Sequence, residues 1–221
     1  MPERKHDAIV SPTSTSELQV LANQVLSGKE PHEVVSLTSC KYLKTLERIK
    51  MIRMEKVERT EAPLSIFLYA HKSVDLSVVL GVFDVKDVYN KVGKLFKNYN
   101  QQKLCVIPAL CSRTTEEATL LRLADEYDCP VDIGRRGYVP FVSQVLIVMS
   151  TRPIEKVYPK WLGTFDNFYR RYLVFRVTQD ANKTTFWPER QTTDKLQVFK
   201  QTNKFDIIVN YLVGCMHATT S

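Results

Sequence analysis

The sequence lacks paired cysteines, His-x-His spacing and long apolar runs. Its five cysteines and four histidines are scattered over 221 residues without a Cys-x-x-Cys pair, which predicts reduced thiols and no metal site. No run of about 18 apolar residues occurs, and the N-terminal MPERKHD has no apolar stretch of the signal-peptide kind. These absences predict an intracellular protein without a membrane segment.

Positive charge is in excess. The net charge is +7, whereas the hydrophobic fraction (44%) and the charged fraction (25%) are those of an ordinary globular protein. An excess of positive charge favours an anionic partner such as nucleic acid. A basic surface that only contacts water would give the same balance, so the charge alone leaves both interpretations open.

The pattern of apolar residues divides the chain into four parts. Residues 1–16 are polar and predicted to be disordered, and residues 17–60 carry three helical patterns that predict a small helical module. Residues 61–178 alternate strand-like runs with helical patterns, which predicts an α/β sheet. Residues 179–221 are predicted to be a C-terminal extension with one short helix, in KFDIIVNYLVGCM.

Four apolar runs in the third part predict buried strands: LSIFLY, SVVLGVF, LCVIPAL and QVLIVMS. Helices are predicted in DVYNKVGKLFKNY and in TTEEATLLRLADEY, where Thr114 and Glu117 have the spacing of a capping box. VDIGRRGYVPF predicts two short strands around a turn, and FDNFYRRYLVFRVT predicts a short helix followed by a strand.

Taken in order, these segments resemble a known family. The segments are LANQVLSGKEPHEV, RTEAPLSIFLY, LLRLADEYDCPVDIGRRGYVPFVSQVLIVMSTRP and FYRRYLVF. They resemble the helicase domain of Rep, the replication-associated protein of circular single-stranded DNA viruses of the circovirus and nanovirus kind, over residues 17–178. The resemblance implies a superfamily 3 helicase fold, in which a small N-terminal helical bundle precedes a P-loop-NTPase-like, AAA+-like sheet with flanking helices. It also implies a ring-forming oligomer, a single-stranded DNA ligand and location in the host nucleus.

Two active centres of that family are missing from the sequence. The Rep endonuclease uses a His-hydrophobe-His motif, and no His-x-His occurs here, so nicking is not expected. A phosphate loop needs glycines, which let successive N–H groups converge on phosphate oxygens. Where the family has a Gly-rich loop ending in Lys-Ser, this chain has Ala70, His71, Lys72 and Ser73. Lys72 and Ser73 are either remnants of that loop or a polar turn at a strand end.

The remaining nucleotide-binding positions are also altered. The resemblance places Mg²⁺-binding carboxylates where Pro108 and Ala109 stand, and a γ-phosphate-sensing Asn where Thr151 stands. Neither Pro108 nor Ala109 has a side chain that can ligate a metal, and losing such a group typically costs about two or more powers of ten in rate. The sequence therefore predicts no ATP hydrolysis, no resident cofactor and no catalytic residue beyond the remnants Lys72, Ser73 and Thr151.

Basic and aromatic residues at the predicted turn indicate a nucleic-acid site. Arg135 and Arg136 lie in GRRG, and Tyr138 follows them. The resemblance places here a hairpin that contacts single-stranded DNA in the channel of the ring, and guanidinium groups and a tyrosine ring suit phosphates and bases. A solvated turn is the alternative. The family also carries an arginine that acts toward a neighbouring subunit, at the position of Arg170 and Arg171.

Other candidates have plainer interpretations. Solvated surfaces are expected for the basic faces of the third helix (Lys44, Arg48, Lys50, Arg53) and of the helix predicted over 86–97 (Lys86, Lys91, Lys94, Lys97). Trp161 and Trp187 lie in loop-like segments and are expected to anchor those loops, although stacking on a base is the alternative.

The sequence thus predicts a Rep-like helicase-domain protein linked to viral DNA replication, without nuclease or ATPase activity. Its partners would be single-stranded nucleic acid, DNA by the resemblance, and either further copies of itself or an active Rep in a mixed ring. One alternative is a divergent but active helicase that uses ATP, Mg²⁺ and Lys72 with an acid such as Asp75 or Glu116. The other is a non-catalytic protein-interaction subunit that caps or modulates an active Rep.

Overall fold

The computed structural model describes residues 13–70, 85–161, 163–180 and 183–189. The α/β class predicted from the sequence is confirmed, with five parallel strands flanked by helices. The chain divides into two compact units after Val57. The predicted strand SVVLGVF and the predicted helix in KFDIIVNYLVGCM lie outside the described residues. Within the described ranges, no helix is long and apolar enough to cross a membrane.

The described part of the first unit is helical. It contains α1 (Thr13–Leu26), α2 (Pro31–Val34), a 3₁₀ turn (Cys40–Tyr42) and α3 (Leu43–Glu55). Helix α1 begins inside the segment 1–16 that the sequence predicts to be disordered. It ends where predicted, because Gly28 adopts a φ of 113°, a left-handed conformation that glycine reaches without steric cost.

A small apolar cluster holds these helices together. Leu21 and Val25 of α1 pack with Leu46 of α3, and all three are buried. The basic face of α3 is only partly solvated, because Lys50 Nζ lies 2.7 Å from Glu30 Oε2 and Arg53 Nη1 donates to the carbonyl of Val25 at 2.8 Å. Two of the four cations predicted on that face therefore form bonds within the unit.

The described residues of the second unit form a six-stranded sheet and a separate hairpin. The strands are β1 (Leu64–Tyr69), β2 (Val88–Asn90), β3 (Leu104–Ile107), β4 (Pro130–Asp132), β5 (Tyr138–Pro140), β6 (Val145–Ser150), β7 (Tyr172–Asp180) and β8 (Lys183–Glu189). The sheet has the order β2-β3-β6-β1-β7-β8, and only β8 is antiparallel to its neighbour. Strands β4 and β5 form the hairpin predicted around GRRG.

Burial explains why the central strands were predictable. Every residue of β1 and of β3 is buried, as expected for parallel strands that are covered on both faces. The connections of this unit contain a 3₁₀ turn (Val85–Asp87) and the short helices α4 (Glu117–Leu123), α5 (Ile154–Val157) and α6 (Asp166–Tyr169). The prediction that FDNFYRRYLVFRVT forms a helix followed by a strand is confirmed by α6 and β7.

The helix predicted over 86–97 is wrong. Val88 and Tyr89 instead pair with Leu104 and Cys105 in the sheet, and an irregular segment follows β2. Positive φ angles at Gly93 (80°) and Asn98 (64°) are incompatible with a continuing helix. The helical spacing of the lysines in this stretch therefore does not put them on one face.

Two further boundaries differ from the sequence-based ones. Helix α4 begins at Glu117, and Thr114 Oγ1 bonds the carbonyl of Cys111 at 3.0 Å rather than capping the helix. Strand β8 was not predicted, because KTTFWPE follows a polar stretch and has no long apolar run. Strand β7 continues to Asp180 and pairs with β8, so the predicted boundary between 178 and 179 falls inside a hairpin.

Candidate functional site

The carboxyl ends of β1, β3 and β6 lie side by side at one edge of the sheet. Tyr69 is in register with Ser150, and the amide of Ala70 donates to the Ser150 carbonyl at 3.0 Å. The amide of Leu110 donates to the Met149 carbonyl at 2.7 Å. Crevices at the carboxyl edge of parallel sheets, where neighbouring connections leave in opposite directions, are the usual place for ligands. A nucleotide site would therefore be expected at the edge next to β1.

The side chains described at this edge do not include a Mg²⁺-binding pair. Pro108 and Ala109 are exposed after β3, and Thr151 is exposed after β6. Ser150 Oγ accepts the amide of Arg152 at 3.0 Å. The segment with Lys72, Ser73 and Asp75 lies outside the described residues. Among the side chains that the structure describes, no group of three or more could hold a metal ion.

Glu116, the other acid considered for an active enzyme, lies just before α4. It is exposed and occupies the N-cap position without a side-chain hydrogen bond to the helix. The adjacent Thr115 is buried, and its carbonyl accepts a hydrogen bond from the Tyr158 hydroxyl. The loop between β3 and α4 is thus fixed from the inside, while Glu116 faces solvent.

Lys91 fixes the same loop from the side of β2. Its side chain is buried, and Nζ donates to the Gly93 carbonyl at 2.7 Å, to Thr115 Oγ1 at 3.1 Å and to the Thr114 carbonyl at 3.3 Å. Burial lowers the pKa of Lys91. All three ammonium donors are used inside the protein, so the predicted solvated position of Lys91 is wrong and its role is to hold two loops together.

The β4–β5 hairpin ends in a tight turn that carries two arginines. The amide of Gly137 donates to the Gly134 carbonyl at 2.9 Å, which places Arg135 and Arg136 at the two central positions. Both glycines have positive φ, 88° and 94°. Both arginines are exposed, and Tyr138 is 63% exposed. The structure therefore brings the three residues predicted to contact nucleic acid together at one end of the hairpin, with Arg135 and Arg136 on the turn and Tyr138 at the start of β5.

The base of the hairpin is buried and bonded to its surroundings. Val131 and Val139 pair across the hairpin and are both buried. Asp132 Oδ1 accepts the amide of Gly134 at 2.7 Å, and the Asp132 carbonyl accepts the amide of Phe96 at 2.8 Å. Because the base is fixed in this way, the turn is a rigid support for its cations rather than a loose loop.

The arginines predicted to face a neighbouring subunit are bonded within the chain. Arg171 donates from Nη2 to Asp125 Oδ2 at 2.7 Å, and Arg170 Nη2 donates to Asn167 Oδ1 at 2.7 Å. Burial raises the pKa of Asp125, but hydrogen bonds from Arg171 and from the Glu126 amide outweigh that effect, so the pKa lies below its ordinary value. Arg171 thus has a structural partner, and Arg170 is the more exposed of the two.

Sequence reasoning missed Arg59, which precedes β1. Its Nε donates to the Phe141 carbonyl at 2.8 Å, its Nη1 donates to the Leu123 carbonyl at 3.1 Å, and the guanidinium lies 5.0 Å from the centre of the Phe141 ring. Burial lowers the pKa of Arg59. Its sequence context after α3, KVERTE, mixes basic and acidic residues and gave no signal that this cation caps the end of α4.

The two tryptophans have different surroundings. Trp161 packs against the rings of Tyr158, Phe165 and Phe168, with centroid distances of 5.6, 5.1 and 5.9 Å, as expected for a loop anchor. Trp187, on β8, is 39% exposed and its Nε1 donates to Thr178 Oγ1 at 3.1 Å.

Comparison with known proteins does not assign the chain to a family. The site that the described residues form most completely is the arginine-bearing turn at the end of the β4–β5 hairpin. Of the positions predicted to bind a nucleotide, the described residues include Ala70, Pro108, Ala109 and Thr151. Neither protein-family models nor curated protein sequences match this chain.

Proposed function

We propose that the chain is a Rep-like helicase-domain protein that binds single-stranded nucleic acid, DNA by the resemblance, and does not hydrolyse ATP. The observation that carries the proposal is the turn between Gly134 and Gly137, which presents Arg135 and Arg136 side by side on a buried hairpin base. Guanidinium groups donate paired hydrogen bonds to phosphate oxygens, and their charge does not depend on pH in the physiological range.

Tyr138 gives the same turn an aromatic surface. Tyr138 is 63% exposed and directly follows the turn that carries the two arginines. Stacking on an exposed ring stabilises a bound base by about 1–3 kcal/mol and tolerates any base. Phosphate contacts combined with base stacking favour binding that depends little on sequence.

The fold supports the family part of the proposal. The order β2-β3-β6-β1-β7, all parallel, is compatible with a P-loop-like fold. In this proposal α1, α2 and α3 are the helical bundle that precedes the helicase core, and copies of the chain, or the chain and an active Rep, assemble in a ring in the host nucleus. Pro108 and Ala109, which cannot ligate Mg²⁺, support the loss of ATP hydrolysis.

Fluorescence anisotropy of a labelled oligo(dT) at increasing salt tests the binding. Each phosphate contact to a single strand contributes about 0.7 to the slope of log affinity against log salt. The variant Arg135→Ala/Arg136→Ala should bind more weakly and lower that slope by up to about 1.4. The matched control Arg113→Ala/Arg122→Ala removes two exposed arginines elsewhere and should retain the slope. Absence of wild-type binding at low salt would contradict the proposal and favour the protein-interaction alternative.

An active helicase is the second candidate, because Glu116 is exposed and its side chain makes no capping bond. Phosphate release with and without single-stranded DNA distinguishes the two. We expect no release above background. A DNA-stimulated rate that Lys72→Ala and Glu116→Gln abolish would establish the enzyme instead.

A further inference from the structure

The segment 92–98, which follows β2, is irregular but fixed at both ends. At its start, the Lys91 ammonium bonds the carbonyl of Gly93 at 2.7 Å. Just after its end, the Tyr99 hydroxyl accepts the amides of Val142 and Ser143 at 3.0 and 3.1 Å. The segment is therefore held in one conformation without being a helix or a strand.

Between these ends the segment packs directly against the β4–β5 hairpin. The amide of Phe96 donates to the Asp132 carbonyl at 2.8 Å, two residues before the turn begins. A Cβ placed on Gly134 would lie 3.8 Å from Cδ1 of Leu95. The Phe96 and Phe141 rings also pack together, with centroids 6.0 Å apart. Two distant parts of the chain thus form one surface.

Both residues that flank this contact are lysines with exposed side chains. Lys94 precedes Leu95, and Lys97 follows Phe96. Lys91, which belongs to the same basic stretch of sequence, is buried and has used its donors internally. The fold therefore leaves Lys94 and Lys97 exposed next to the β4–β5 hairpin, whose turn carries Arg135 and Arg136.

We propose that Lys94 and Lys97 form a second phosphate-contacting element, so that one single strand of nucleic acid is bound by the segment 92–98 and by the hairpin turn together. This inference rests on the proposed function, since it concerns the same ligand. Ammonium groups are point charges that contact phosphates without regard to base sequence. Because the backbone of the segment is fixed, both lysines project from a backbone that needs no ordering when the ligand binds.

Four proteins test this inference in the oligo(dT) titration: wild type, Lys94→Ala/Lys97→Ala, Arg135→Ala/Arg136→Ala, and the control Lys156→Ala/Lys160→Ala. The control removes two exposed lysines from the same unit and gives the same change in net charge. We expect Lys94→Ala/Lys97→Ala to weaken binding several-fold and to lower the salt slope by up to about 1.4, with the control close to wild type. An unchanged urea midpoint shows that each variant is folded.

The outcomes separate this inference from the proposed function. If the arginine pair matters and the Lys94–Lys97 pair does not, the second element is excluded and the hairpin site stands. Equal losses in the Lys94–Lys97 variant and in the Lys156–Lys160 control would show only a long-range effect of net charge and would also overturn the inference. If wild type does not bind, or the arginine pair has no effect, the proposed function itself fails.

Discussion

Arg171 donates two hydrogen bonds to a single oxygen of Asp125, from Nη2 at 2.7 Å and from Nε at 3.2 Å. Asp125 is also bonded from the other side, because its carbonyl oxygen accepts Arg59 Nη1. One aspartate after α4 therefore joins the segment before β1 to the start of β7. Both side chains of the ion pair are about one quarter exposed, at 28% and 26%.

Breaking this ion pair should destabilise the second unit. Arg171→Ala leaves Asp125 partly buried without its main partner, and we expect a loss of about 1 kcal/mol in the free energy of unfolding. Urea denaturation measures the change. Arg170→Ala is the matched control, because Arg170 is exposed and should change stability by no more than about 0.5 kcal/mol. If Arg171→Ala and Arg170→Ala lowered the free energy of unfolding by the same amount, the ion pair between Arg171 and Asp125 would not contribute to stability.

The lowered pKa of Asp125 makes part of the stability depend on pH. A carboxyl group whose folded pKa is below its unfolded value of 3.8 stabilises the fold above 3.8, and that contribution is lost as pH falls through the folded pKa. The wild type should therefore be more stable than Asp125→Asn at neutral pH, and the difference should shrink below that value. Urea midpoints from neutral pH to about pH 3 measure it. A difference that does not change with pH would contradict the assignment.

Lys91 should show a pH dependence of the same sign, in the alkaline range. Lys91→Met leaves the Thr115 hydroxyl and two carbonyls without their donor, at a cost of about 1–3 kcal/mol. Because burial lowers the folded pKa of Lys91 below its ordinary 10.5, the folded state binds fewer protons, and stability rises as pH rises through the folded pKa toward 10.5. The advantage of wild type over Lys91→Met should thus grow in alkaline solution. The buried tyrosines titrate equally in both proteins, so their effect on stability cancels in the comparison. If the stability difference between wild type and Lys91→Met became smaller as pH rises, the prediction would be contradicted.

The turn that carries the arginines depends on its glycines. Gly137 has a φ of 94° and nothing within 4 Å of a Cβ placed on it, so Gly137→Ala is opposed by backbone strain and not by a clash. We expect a loss of about 1–2 kcal/mol in stability, with weaker oligo(dT) binding as the arginines move. Gly137→Asn, which tolerates this conformation better, should recover part of both losses. Normal stability and binding in Gly137→Ala would show that the turn geometry does not matter.

The parts of the fold that were predictable are those where one local signal dominates. LSIFLY and QVLIVMS are apolar except at Ser65, Gln144 and Ser150, because both faces of a central parallel strand are covered. GRRG marks its turn with two glycines. The helix predicted over 86–97 failed because Lys91 was counted as solvated, although its ammonium is satisfied by groups 2 to 24 residues away. Strand β8 and the role of Arg59 depend on partners distant in sequence, which no local pattern records.

Of the candidate site, the sequence located the hairpin and its three ligand-binding candidates, because they lie within five residues of one another. It did not locate Lys94 and Lys97 beside them, since that placement depends on the hydrogen bond between Phe96 and Asp132. Pairing between segments far apart in the chain is a tertiary property, and it decides which members of a basic stretch face solvent.

Arg59 determines where the chain can be cut to express the second unit alone. The compact units divide after Val57, so a fragment that starts at Glu58 retains the guanidinium that caps α4. A fragment that starts after residue 60, at the boundary drawn from the sequence, would lose it. The carbonyls of Leu123 and Phe141 would then lose their donor, and the end of α4 would fray beside the new terminus although no residue of that helix had been removed.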